Sequence, residues 1–177
     1  MTSVIHSLDF SWRPVADYDY EIFCVLRDPF TRFISAFNET CELYSEGVTT
    51  SKCRDITDEC LRSILSEPDL GTKCEKYVAE LSTAGFFDYH QMPQVFFLNI
   101  KRNIVRNFKL AVIDRDVGKV HHFLRFEHLD DDIKKIAPVC LPRLNKSSSI
   151  IIDIFKNYES DICKMYTEDF DLYNKHS

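Results

Sequence analysis

Glycine is scarce in this chain: 4 in 177 residues, none of them among the first 19. With only 6 prolines and 45% hydrophobic residues, the composition excludes a collagen-like or disordered chain. Positive charge is also in deficit. Lys and Arg total 22 against 28 Asp and Glu, a net charge of −6. A generic nucleic-acid binder offers phosphate backbones a basic face, so that class is disfavoured, and an anionic ligand has to be held by local Arg and Lys. Long apolar runs are missing. Ile150, Ile151 and Ile152 are followed at once by Asp153, far short of a membrane span. The opening MTSVIHSLDFSWRP has no basic start leading into an apolar core and does not read as a signal peptide. The expectation is a soluble chain without a membrane segment, its compartment left open, with the cytoplasm as one option. The 7 cysteines are odd in number and include no C-x-x-C pair, which argues against a full disulfide framework or a zinc site. None begins a C-x5-R phosphatase loop, and reduced, partly buried thiols are the reading that remains.

What the sequence does hold is one domain's worth of chain, residues 1–177, with neither internal repeat nor low-complexity tract. Its most informative stretch is Tyr20 to Phe37, YEIFCVLRDPFTRFISAF. Ile22 to Leu26 is an apolar run of strand length. Asp28 suits a helix N-cap, where its carboxylate accepts a bond from a first-turn amide, and Pro29 suits the first helical position. Phe30, Phe33, Ile34 and Phe37 recur at helical spacing and predict one buried stripe. Arg32 and Ser35 share a different face, one turn along from Arg27. A strand feeding a helix N-terminus ringed by two guanidiniums and a hydroxyl outlines an anion site. The plain structural alternative is an Arg–Asp ion pair at an ordinary strand-to-helix turn.

That segment resembles the 3′-phosphate-binding motif of sulfotransferases, a strand followed by R-D-P-x-x-R-x-x-S-A-[FY]. The resemblance implies that Arg27 and Ser35 bind the 3′-phosphate of the sulfate donor, 3′-phosphoadenosine 5′-phosphosulfate (PAPS), with Arg32 as a supporting cation. A second block, FFDYHQMPQVFFLNI over Phe86 to Ile100, carries the H-x-x-P-Q element of carbohydrate-type members in His90, Pro93 and Gln94. Gln91 stands where relatives usually have an aromatic. A histidine there suits proton removal from an acceptor hydroxyl, while a buried, hydrogen-bonded histidine is the bland alternative. VHHFLRFEHLDDDIKKI, Val120 to Ile136, resembles the family's strand ending in F-E-x-L, followed by a helix that opens on an acidic cluster. Asp130, Asp131 and Asp132 complement a helix dipole, and Glu127 reads as a strand-end residue or as one positioning a substrate or an Arg. His121 and His122 would face opposite sides of a strand, so no shared metal is expected. PRLNKSS resembles the family's N-x-S loop, implying phosphate donors in Asn145, Lys146 and Ser147, with Ser148 or Ser149 as a helix cap.

The other segments read as scaffold: helices over Asp55 to Leu65 and Lys73 to Leu81, and a closing amphipathic stretch from Ile150 to Tyr173. Resemblance to carbohydrate-type sulfotransferases covers roughly Tyr20 to Tyr173. It implies a helix-rich α/β fold with a parallel, P-loop-like sheet. Relatives begin with a strand, a P-K-x-[GA]-[ST]-[ST] loop around the 5′-phosphosulfate, and a helix. Residues 1–19 contain no such segment, so the expected fold is truncated by its first β-loop-α unit, leaving an edge or apolar face suited to self-association. The implied function is transfer of a sulfuryl group from PAPS to a hydroxyl of a glycan acceptor, with His90 as base and no metal. The alternative is an inactive module that holds a nucleotide 3′-phosphate or a glycan. Glycan-modifying relatives work in the Golgi lumen, which is the expected compartment if this chain belongs to a longer one.

Overall fold

The computed structural model of the chain describes residues 23–47, 58–85, 90–95, 122–136 and 149–176. Strand β1, Phe23–Leu26, pairs in parallel with β2, His122–Arg125, in the register Phe23↔His122 through Leu26↔Arg125. Around this small sheet the described residues are helix-rich, in agreement with the α/β expectation. Helix α1 spans Pro29–Ser45, and its start follows the local rule: Asp28 Oδ1 accepts the Thr31 amide at 2.8 Å, with Pro29 in the first turn. It ends where Gly47, at φ +73°, donates its amide to the Tyr44 carbonyl, a conformation that costs a side-chain-bearing residue more.

Helix α2 is Asp58–Leu65, and α3 is Leu70–Ala84, longer than the Lys73 to Leu81 helix expected from sequence. The extra first turn exists because Asp69 caps it, accepting the Thr72 amide at 2.7 Å, which makes Gly71 tolerable there. After β2 come a 3-10 turn, Phe126–His128, and α4, Leu129–Ile136. The C-terminal stretch is divided into α5, Ser149–Lys156, α6, Glu159–Met165, and α7, Thr167–Lys175. Amides of Asn157 and Tyr158 bond three residues back, to Ile154 and Phe155, tightening the last turn of α5. Tyr158 and Tyr166 then leave helical geometry, at ψ +11° and +29°.

The predicted stripe of α1 is the centre of the core. Phe33, Ile34 and Phe37 are buried against Ile64, Cys74, Tyr77, Val78, Leu81, Phe155, Ile162 and Tyr166, with Phe30 half-buried at the margin. Its aromatic rings meet edge to face, Phe37 with Tyr77 at 4.9 Å and Phe33 with Phe155 at 5.3 Å between centroids. The expected apolar residues of the C-terminal stretch pack on the same cluster. Cys24, Cys41, Cys60, Cys74 and Cys163 are free thiols, and burial raises Cys74 to about 12, where it is inert. Among the described residues no helix is long and apolar enough to cross a membrane.

One polar node lies inside this core. Gln91 is fully buried and its Nε2 donates to Thr40 Oγ1 and Tyr77 Oη, both at 2.9 Å, while its carbonyl accepts from Tyr166 Oη. Thr40 Oγ1 passes its own proton to the Ala36 carbonyl at 2.8 Å. Gln91 therefore joins 90–95 to α1 and α3. Gln91→Leu is expected to lower stability by about 2 kcal/mol, because the buried hydroxyls of Thr40 and Tyr77 lose their donor. An unchanged denaturation midpoint in urea would contradict this role.

The capping carboxylates set an acid limit on stability. The Thr72 amide holds the Asp69 carboxyl below its ordinary range, and Lys135 followed by the Arg125 amide does the same for Asp132. A depressed carboxyl contributes stability above the unfolded value, about 3.8, and loses it as pH falls through the lower folded value. The melting temperature should accordingly decline below about pH 4, less steeply in Asp69→Asn than in the wild type. Equal slopes in the two proteins would contradict it.

Candidate functional site

The carboxyl ends of paired parallel strands are where open α/β sheets present their ligand residues. Here β1 ends at Leu26 and β2 at Arg125, so Arg27 and Asp28 follow one strand and Phe126 and Glu127 follow the other. The Arg27 guanidinium lies over the Phe126 ring, 4.7 Å from its centroid. The Asp28 amide donates to Glu127 Oε1 at 3.1 Å, and Glu127 Oε2 accepts from Tyr173 Oη at 3.0 Å. Glu127 thus ties the turn before α1 to α7, a strand-end role among the two considered for it.

On α1, helical periodicity puts Asp28, Arg32, Ser35 and Glu39 on one stripe, opposite the buried aromatics. Residues 90–95 run along this helix in the reverse direction. His90 Nε2 stands 3.3 Å from Glu39 Oε1, and Arg32 Nη2 donates to the Met92 carbonyl. Gln94 reaches β1, where its Oε1 accepts the Arg27 amide at 3.2 Å and its Nε2 donates to the Val25 carbonyl at 3.1 Å. The H-x-x-P-Q element is therefore fastened to the strand end through its glutamine.

Asp169 of α7 anchors the same element from the other side. Its Oδ2 accepts the Gln94 amide at 2.7 Å, its Oδ1 accepts the Val95 amide at 2.9 Å, and Arg32 Nη1 lies 3.5 Å from Oδ2. Burial pushes the Asp169 carboxyl up, while the two amides and Arg32 pull it down. The net direction is upward, and both oxygens accept from backbone amides. Arg32, read from sequence as a supporting cation, is placed differently from Arg27: its guanidinium is engaged by Asp169 and the Met92 carbonyl.

Arg27 and Ser35 have no such engagement. Among the described residues the Arg27 guanidinium makes no hydrogen bond or ion pair, and its Nε is buried without a partner. The Arg27–Asp28 ion pair of the structural alternative does not form; Asp28 is spent on the helix cap. Burial lowers the Arg27 pKa, and the nearby Glu127 carboxylate opposes that shift. Ser35 is half-buried on the polar stripe of α1, its hydroxyl without a hydrogen bond among the described residues. His90 is partly exposed, its side chain 26% accessible, one turn beyond Ser35 at Glu39. Asn145, Lys146 and Ser147 lie outside the described residues. Among those described, no group of three or more His, Cys, Asp or Glu is arranged to hold a metal ion.

Sequence reasoning missed Asp169, Phe126 as the partner of Arg27, and the group formed by Arg125 and Tyr173. In that group Arg125 Nη2 donates to Tyr173 Oη, with its Cζ 4.6 Å from the ring centroid. No local pattern marks these residues, because each acts across the fold. No protein-family model matches the chain, and no curated protein or solved structure is significantly similar to it.

Proposed function

We propose that this chain is a carbohydrate-type sulfotransferase that takes PAPS as donor and a glycan hydroxyl as acceptor. The observation that carries the reading is the contrast at the end of β1. Among the described residues the Arg27 guanidinium makes no hydrogen bond or ion pair, and its Nε is buried and unpartnered, while Asp28, Arg32 and Gln94 around it are all spent on holding the turn. The two Nη groups, which make no hydrogen bond among the described residues, fit an oxyanion, and a phosphate accepts from a guanidinium fork in two places. In this reading Arg27 and Ser35 hold the 3′-phosphate, and the donor supplies the sulfuryl group. His90, held at Glu39, takes the proton of the acceptor hydroxyl. The helix-rich α/β architecture with a parallel strand pair supports the finer expectation of a P-loop-like sulfotransferase fold.

Calorimetric titration with adenosine 3′,5′-bisphosphate and, in parallel, adenosine 5′-monophosphate tests the proposal. Tighter binding of the bisphosphate is the expected result; equal affinities, or binding of neither, would contradict it. The second reading is a module that binds the nucleotide without turnover. Transfer of labelled sulfate from PAPS to a glycan panel separates the two. Ser35→Ala should weaken bisphosphate binding about fivefold, the worth of one hydrogen bond to a charged group at a half-exposed site, and leave the melting temperature unchanged. Equal affinity in Ser35→Ala would remove that residue from the site.

A further inference from the structure

Resting on the reading of Arg27 as the 3′-phosphate residue, we infer that Phe126 is a positioning residue for that site, holding the guanidinium so that its donors face the ligand. Three observations carry this. Arg27 directly follows β1 and Phe126 directly follows its parallel partner β2, and the Arg27 Cζ sits 4.7 Å from the Phe126 centroid. Phe126 is 45% exposed, whereas Phe30, Phe33, Phe37, Phe123, Phe155 and Phe170 are buried or half-buried. Nor does any hydrogen bond among the described residues fix the guanidinium, whose Nε is buried and unpartnered.

A guanidinium lying over an aromatic ring is held by the ring's π face without any of its N–H groups being given to an oxygen acceptor. The long side chain is thereby limited to a few rotamers without spending a single donor. A carboxylate partner would fix it equally well but would compete with phosphate for the same N–H groups. The aromatic orients the cation and leaves it available to an anion. A merely structural Phe126, covering apolar surface at the end of β2, would affect melting temperature and have no bearing on which nucleotide binds.

The test compares wild type, Phe126→Leu and Phe126→Tyr by calorimetry with adenosine 3′,5′-bisphosphate and adenosine 5′-monophosphate, with melting temperatures recorded for each. Phe126→Leu is expected to weaken bisphosphate binding about fivefold, to leave 5′-monophosphate binding unchanged, and to be rescued by Phe126→Tyr. Unchanged bisphosphate affinity in a folded Phe126→Leu protein, with Arg27→Ala abolishing it, would overturn the inference and leave the reading of Arg27 intact. Parallel losses for both nucleotides would also overturn it, in favour of a general structural role. A wild type with no preference for the 3′-phosphate would remove the reading of Arg27 and this inference together.

Discussion

Asp169→Ala should destabilise the protein by about 3 kcal/mol, the range expected when one partner of a buried ion pair is removed. Asp169 is 2% exposed, and both of its oxygens are committed. Alanine would leave the Gln94 and Val95 amides without acceptors and Arg32 with only the Met92 carbonyl. Each orphaned buried donor carries its own desolvation cost, so the loss exceeds the worth of any one bond. Asp169→Asn should recover little, since its amide nitrogen would face one of the two backbone N–H groups. Arg32→Ala should fall in the same range, and the double variant should cost less than the sum of the two, because the pair is a single unit. Urea denaturation of the wild type and the four variants measures this. Additive losses, or an Asp169→Ala loss below about 1 kcal/mol, would contradict the clamp.

Arg27→Ala is expected to do the opposite. Bisphosphate affinity should fall about 100-fold, the worth of two charge-assisted bonds to phosphate. Stability should hold or rise slightly, because the variant removes a buried Nε that has no partner. Two arginines in the same motif, five residues apart, thus separate by which property each controls. If Arg27 were part of the scaffold, its loss would lower the melting temperature as Arg32→Ala does.

Much of this arrangement was legible in the sequence wherever a local rule decides it. Asp28 and Pro29 start α1 by capping chemistry, the phenylalanine spacing gives its buried face, and the apolar run before Arg27 gives β1. The F-E-x-L segment likewise marks the end of β2. Contacts made across the fold were not legible. Arg32 has the right position on α1 for a phosphate cation, and its engagement by Asp169, far along the chain, left no local sign. A carboxylate in the run TEDFDLY carries no local sign of burial, since three acidic residues there are indistinguishable by pattern. The division of the C-terminal stretch into three helices escaped for a related reason. Its apolar spacing is continuous, and the breaks at Tyr158 and Tyr166 arise as these residues pack into the core.

Calorimetric titration of the wild-type chain with adenosine 3′,5′-bisphosphate, set beside Arg27→Ala, tests the central claim most directly. Saturable binding to the wild type and its loss in a variant that melts at the same temperature or higher is the predicted result. No heat of binding in a cooperatively folded wild type, or equal binding by both proteins, would contradict a 3′-phosphate site at Arg27.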